Sequence, residues 1–166
     1  MRAGVALGSN LGQRLANLRN ARKDIAALPG VLPPMRASAV YETEAVGCEP
    51  GAAKFLNAAL EFGYAGEAQH LLRALASIEK LLGRPANHAR NASRTVDLDL
   101  LYFGELEIET AELQLPHPRL VDREFVLRPL ADIAPDLVLP RQTESVSALL
   151  LQLTSTGAVV RFTAEW

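Results

Sequence analysis

The chain has 166 residues, 49% of them hydrophobic and 22% charged, the balance of one globular domain rather than a disordered segment. A net charge of −2 excludes a broad electrostatic grip on nucleic acid or an anionic membrane, and a single cysteine, Cys48, excludes a disulfide framework or a zinc ribbon. No apolar run approaches the roughly 20 residues that span a bilayer, and Gly8-Ser9-Asn10 breaks the first apolar stretch too early for a signal peptide, so a cytoplasmic protein is expected.

Residues 2–8 alternate loosely and read as a first strand, ended by Gly8-Ser9-Asn10. Apolar residues then recur with helical spacing at Leu11, Leu15, Leu18, Ala21, Ile25 and Leu28, until Pro29-Gly30 stops the helix. Residues 37–41 read as a second strand, 44–54 as a loop and 55–64 as a third strand. Leu71, Leu75, Ile78 and Leu82 mark a second helix, closed by Gly83. Residues 84–94 (RPANHARNASR) hold no large apolar side chain and read as a solvated loop of functional length. Residues 95–103 form the clearest strand, β-branched at its start and aromatic at its end.

This order predicts an α+β fold with a ferredoxin-like βαββαβ core. A proline-punctuated segment follows, with helices expected at 125–134 and 144–153 and a last strand at 158–163, a C-terminal α/β supplement. No repeat, low-complexity tract or flexible linker divides residues 1–166, so a single domain is expected.

Asp97 and Asp99 stand two residues apart in Val96-Asp97-Leu98-Asp99-Leu100. Strand alternation puts both carboxylates on one face and the apolar residues on the other. In a central strand such a pair is costly to desolvate unless neutralised, which Mg²⁺ does while keeping waters and phosphate oxygens as further ligands. The alternative is an edge strand whose aspartates pair with nearby arginines. There are three lysines against fourteen arginines, and six of those arginines lie between Arg84 and Arg128. Arg84, Arg90 and Arg94 precede the pair; His117, Arg119 and Arg123 follow it. Two carboxylates flanked by guanidinium forks suit the handling of a polyphosphate. No P-loop and no protein-kinase signature occurs.

Taken together, several strings resemble the 6-hydroxymethyl-7,8-dihydropterin pyrophosphokinases of folate biosynthesis. They are Leu7-Gly8-Ser9-Asn10-Leu11-Gly12, Val40-Tyr41-Glu42-Thr43, Phe55-Leu56-Asn57-Ala58-Ala59, Ile78-Glu79-Lys80-Leu81-Leu82-Gly83-Arg84, Arg94-Thr95-Val96-Asp97-Leu98-Asp99-Leu100-Leu101 and Leu115-Pro116-His117-Pro118-Arg119, then Arg123-Glu124-Phe125-Val126-Leu127. They occur in family order across most of residues 5–140.

The resemblance implies an ATP-dependent diphosphotransferase that passes diphosphate from ATP to the hydroxymethyl group of the reduced pterin and releases AMP. It implies that Asp97 and Asp99 hold two Mg²⁺ ions, that Arg84 and Arg94 close over the phosphates, and that His117 and Arg123 contact the triphosphate with Glu79 near the nucleotide. Asn57 would bond the pterin edge, Phe55 and Phe125 would sandwich its ring, and Thr43 would contribute backbone contacts. A flat bicyclic amide suits aromatic faces and an amide side chain that both donates and accepts. Transient contact with the next folate-pathway enzyme is a further expectation.

The chain departs from the family pattern at Asn91-Ala92-Ser93, where Trp-Gly-Pro is usual, and at Glu44, where proline is usual. A glutamine commonly found before the Phe55 position is absent from residues 49–54. The altered 91–93 segment motivates a rival reading, a non-catalytic pterin- or nucleotide-binding protein. An RNA-binding module on a ferredoxin-like sheet is opposed by the net charge of −2 and by the lack of an aromatic-rich strand.

Overall fold

The computed structural model describes residues 1–45, 53–83, 93–154 and 157–166. The elements are β1 (Arg2–Ser9), α1 (Arg14–Ala26), β2 (Val31–Ala37), β3 (Val40–Thr43), β4 (Phe55–Tyr64), α2 (Ala68–Leu81) and β5 (Asp97–Phe103). A two-residue hairpin of β6 (Ile108–Glu109) and β7 (Gln114–Leu115) follows, then α3 (Glu124–Ile133), α4 (Val146–Gln152) and β8 (Val159–Thr163). The main sheet runs β5-β1-β4-β3-β8, with β2 also paired to β4, and every pairing is antiparallel. Without β8, that is the strand order of a ferredoxin-like βαββαβ unit, and the C-terminal supplement adds β8 to the edge at β3.

Alternation along β4 sorts the two faces. Leu56, Ala58, Leu60, Phe62 and Tyr64 join Leu18, Ala21, Ile25, Leu71, Leu75 and Ile78 in the core beneath α1 and α2. Ala59 joins Leu127, Leu130 and Val146 in a second core beneath α3 and α4. Phe55 and Asn57 share that second face, beyond the end of its apolar core.

The first helix and the second strand differ from the sequence expectation, and the β6–β7 hairpin forms no part of it. The first helix starts at Arg14, not Leu11, because Gly12 takes φ +62° in the turn after β1 and leaves Leu11 exposed. β2 went unread because Pro33 and Pro34 remove two amide donors, and the register on β4 shifts across them between Leu32 and Arg36. β2 and β3 are two halves of one edge, divided at Ser38, whose N–H donates to the Ala59 carbonyl (3.0 Å) and whose Oγ accepts from the Ala59 amide (2.9 Å). β5 stands at the end of the sheet path with Asp97 paired to Arg94, the edge placement that the sequence offers as the alternative to a central strand. Its outer edge is nevertheless covered: the Leu98 amide donates to Glu79 Oε1 of α2 (2.8 Å), and the His117 amide donates to the Leu101 carbonyl (2.8 Å).

A bulge in β5 sets its final register. Gly4 of β1 pairs with Tyr102, but Val5 pairs with Leu100, so Leu101 is the extra residue. Leu101 and Tyr102 therefore both enter the α3 core, while Leu100 and Phe103 enter the other. The Tyr102 ring lies directly over Gly4; a β-carbon there would stand 2.1 Å from Tyr102 Cε1. Gly4→Ala should cost about 2–3 kcal/mol in chemical denaturation by overpacking. Gly157→Ala, where no atom stands within 4 Å of an added β-carbon, should stay within about 0.5 kcal/mol.

Candidate functional site

Register brings the chemistry-bearing residues into one row. Gly8 of β1 pairs with Asp97 of β5 on one side and with Asn57 of β4 on the other, and Asn57 pairs with Tyr41 of β3. Side chains of register partners share a face, so Asp97, Gly8, Asn57 and Tyr41 stand side by side under α3. Asp97 and Asn57 are two strand spacings apart, about 10 Å, with no side chain between them. A β-carbon on Gly8 would lie 3.3 Å from Asn57 Oδ1, 3.7 Å from Phe55 Cδ1 and 3.9 Å from Asp97 Cβ. The next row inward is Asp99, Ala6 and Ala59.

At the Asn57 end, the Asn57 amide Nδ2 donates to Thr43 Oγ1 (2.8 Å), which leaves Oδ1 directed over Gly8. Asn57 and Thr43 are both buried. Phe55 is only partly buried and pairs in register with Thr43. Phe125, at the second position of α3, is also partly buried, at the margin of the α3 core. The Arg123 guanidinium lies 5.4 Å from the Phe125 ring centroid and so joins the aromatic end to the charged end.

At the Asp97 end, Arg94 Nη1 pairs with Asp97 Oδ1 at 2.7 Å. Burial raises the Asp99 carboxyl above the usual carboxylate range and the neighbouring Asp97 raises it further; His117, Arg123 and Arg94 oppose the rise. Burial lowers the His117 imidazole, against the pull of Asp99 and Asp97, and the two arginines Arg123 and Arg119 lower it too. Burial and Arg119 also lower the Arg123 guanidinium. These groups therefore form one electrostatic cluster. The Arg119 amide donates to His117 Nδ1 (3.2 Å), so a neutral imidazole carries its proton on Nε2 and offers a donor there.

Asn10 connects the two ends from the GSN turn. Buried at 2% exposure, its Oδ1 accepts from the Arg94 amide (2.7 Å), and its Nδ2 donates to Ser93 Oγ (3.1 Å) and to the Ala53 carbonyl (3.4 Å). Asn17 of α1 donates to Ser9 Oγ, Leu11 O and Thr95 O. Neither asparagine was singled out from the sequence as a site residue. The readable signal was a polar residue directly after a buried strand, which has to find partners. Arg84 and Arg90, like Asn91 and Ala92, lie outside the described residues. Glu79, expected near a nucleotide, is buried on α2 and engaged with the Leu98 amide of β5.

The family model described as 7,8-dihydro-6-hydroxymethylpterin-pyrophosphokinase matches residues 4–135. The chain belongs to this family. A 2-amino-4-hydroxy-6-hydroxymethyldihydropteridine pyrophosphokinase of Bacillus subtilis is 43% identical over 131 residues, 78% of this chain and 75% of the relative. One from Methylorubrum extorquens is 38% identical over 156 residues, 94% of this chain and 96% of the relative. Among solved structures, an HPPK-DHPS in complex with substrates superposes with a TM-score of 0.72 at 12% identity, over 90% of this chain. The chain spans only 42% of that longer one, and at this identity the likeness speaks for the fold.

The family's pyrophosphokinase chemistry raises the question of a metal. Among the described residues no group of three or more His, Cys, Asp and Glu side chains forms a cage. Two carboxylates facing a gap, one already raised by burial and by its neighbour, fit a hard divalent ion that takes its remaining ligands from water and phosphate.

The Glu79–Leu98 bond holds the strand that carries both aspartates. Glu79→Ala should cost about 2–3 kcal/mol in denaturant melts by orphaning the buried Leu98 amide, and Glu79→Gln, which keeps the acceptor, less than about 1 kcal/mol.

Proposed function

We propose that residues 1–166 act as one pyrophosphokinase domain in which the Asp97–Gly8–Asn57 row aligns the pterin with the triphosphate of ATP. The reaction of folate biosynthesis that the family carries out is the transfer of diphosphate to 6-hydroxymethyl-7,8-dihydropterin. The observation that carries the assignment of ends is the empty position at Gly8, walled by an amide and an aromatic ring on one side and a carboxylate on the other.

At the amide end, Thr43 orients Asn57 so that Oδ1 accepts from the pterin's ring N–H edge, and Phe55 and Phe125 offer faces to the ring. At the carboxylate end, Asp97 and Asp99 would hold magnesium; when bound, such ions neutralise charge on the phosphates. His117, through its Nε2–H, and the Arg123 guanidinium bind triphosphate oxygens, and Arg94 exchanges Asp97 for a phosphate oxygen as ATP arrives. Arg84 belongs with Arg94 in this reading, and Glu79 acts by holding β5.

The pterin hydroxyl oxygen attacks the β-phosphorus in line. The new O–P bond forms as the α,β-bridging bond breaks, AMP leaves with the bonding pair, and the hydroxyl proton passes to solvent. No strong general base stands among the assigned residues, so positioning and charge neutralisation do the work. No described helix is long and apolar enough to cross a membrane. The joining of HPPK and DHPS in one chain of a solved neighbour supports contact with the next folate-pathway enzyme.

The deciding measurement is AMP formed from ATP, Mg²⁺ and 6-hydroxymethyl-7,8-dihydropterin. Asp97→Ala and Asp99→Ala should each lower it by roughly a thousandfold, and a chelator should abolish it. Wild-type AMP release from either variant would remove the metal assignment, and pterin binding with no AMP from the parent would establish the non-catalytic rival. Arg94→Ala should lower turnover about a hundredfold with less than about a threefold change in pterin KM. Equal losses in both would count against a role in the transition state.

A further inference from the structure

Arg14 opens α1, on the face of the sheet opposite the site. Its place is set by the Gly12 turn, where its amide donates to the Gly12 carbonyl (3.0 Å). From there a single nitrogen, Nη1, donates to the Lys54 carbonyl (2.8 Å) and pairs with Glu42 Oε1 (2.9 Å). Lys54 immediately precedes Phe55, and Glu42 lies on β3 between Tyr41 and Thr43. Alternation directs Tyr41 and Thr43 up toward α3, as the Tyr41–Asp132 bond (3.0 Å) and the Thr43–Asn57 bond show, and directs Glu42 down toward α1.

The last register pair of β3 and β4 is Thr43 with Phe55. Beyond it the ladder no longer sets the distance between the two segments. From beneath, the Arg14 guanidinium ties Lys54, one residue outside the ladder, back to Glu42, which lies within it opposite Leu56; the Arg14 and Glu42 side chains are more than two-thirds shielded (27% and 29% exposed). A second pair between the same segments, Lys54 with Glu44 at 2.8 Å, is more exposed and the weaker tie.

We propose that Arg14 is a positioning residue for the pterin end of the site: by tying the Lys54 carbonyl back to Glu42, it fixes the course of the chain just before β4 and so how the Phe55 ring is presented beside Thr43 in the slot that receives the pterin. The proposal rests on the reading that Thr43, Phe55 and Asn57 receive the pterin. Asp97 and Asp99 lie on the far side of β1 and are not touched by the tie, so its loss should act chiefly on one substrate. Lysine at position 14 keeps the charge and a nitrogen able to donate to both partners, but on a shorter stem, so it should restore part of the effect.

The test is calorimetry on the full chain with two titrations. One adds 6-hydroxymethyl-7,8-dihydropterin in the presence of Mg²⁺ and saturating α,β-methylene-ATP, whose bridge cannot be cleaved; the other adds the ATP analogue alone. Arg14→Ala should weaken pterin binding about tenfold and Arg14→Lys about threefold, with analogue affinity within about twofold for both. Glu42→Gln, which keeps an acceptor, should show the same split at smaller amplitude and stands in if Arg14→Ala does not fold. Pterin affinity unchanged in these variants, or an equal loss for both ligands, overturns the proposal. Asn57→Ala serves as the control: if it weakens pterin binding while Arg14→Ala does not, only the role of Arg14 fails. If Asn57→Ala has no effect either, the pterin assignment itself falls.

Discussion

The site exists because β1 has no side chain at position 8. Register partners on one face of an antiparallel sheet stand about 5 Å apart, so a middle strand ordinarily fills the space between its neighbours. Here a glycine separates Asp97 from Asn57, and Ala6 separates Asp99 from Ala59 in the next row. Two small residues in consecutive inward positions turn a flat sheet face into a trough. The Cβ distances around Gly8 show that even a methyl group would meet the Asn57 amide, the Phe55 ring and the Asp97 side chain together. The trough thus joins groups that recognise a flat heterocycle to groups that handle charge.

Its two ends are held apart electrostatically as well as geometrically. Partly buried carboxylates at one end, opposed by His117, Arg94 and Arg123, make a polarised pocket inside a chain whose net charge is only −2. At the other end the side chains that face the trough are an amide, a hydroxyl and a phenol: Asn57 donates to Thr43, and Tyr41 donates to the Asp132 carboxylate. Arg123 crosses between them, its guanidinium over the Phe125 ring. The charge total therefore excluded a polyanion-coating surface and said nothing against a small polyphosphate held between charges of both signs.

Much of this was legible in the residues. The alternation through Val96, Leu98 and Leu100 placed Asp97 and Asp99 on one face, and the structure buries those three apolar side chains in the opposite core. β4 carries the bounds that its pattern implied. What stayed illegible depends on non-local contacts. Alternation leaves β5 either a central or an edge strand, and the structure decides for the edge, with its outer side closed by Glu79 and the His117 amide rather than by a strand. β2 escapes a sequence reading because Pro33 and Pro34 weaken the local strand signal, while its partners on β4 stand 23 to 33 residues away. The bulge that seats both Leu101 and Tyr102 in the α3 core follows from the Gly4 contact, which no periodicity reveals. Asn10 and Arg14 act by reaching between segments distant in the chain, so their residue types suggested polarity without a partner.

Glu79, Asn10 and Arg14 share one physical role. Each site strand ends in a loop, and strand ends are where ladder hydrogen bonds stop fixing geometry. At each such end a polar side chain from below or beside the sheet takes over. Glu79 of α2 holds β5 at Leu98, Asn10 holds the Arg94 backbone and the Ala53 carbonyl, and Arg14 of α1 holds β3 to the entry of β4. α1 and α2 are anchored in turn by the larger apolar core. Rigidity passes from that core through three side chains to the groups facing the trough, while the trough floor carries no apolar side chain larger than that of alanine. A fold whose helices cover one face can thus leave the end of the other face open for two substrates without letting its strand ends drift apart.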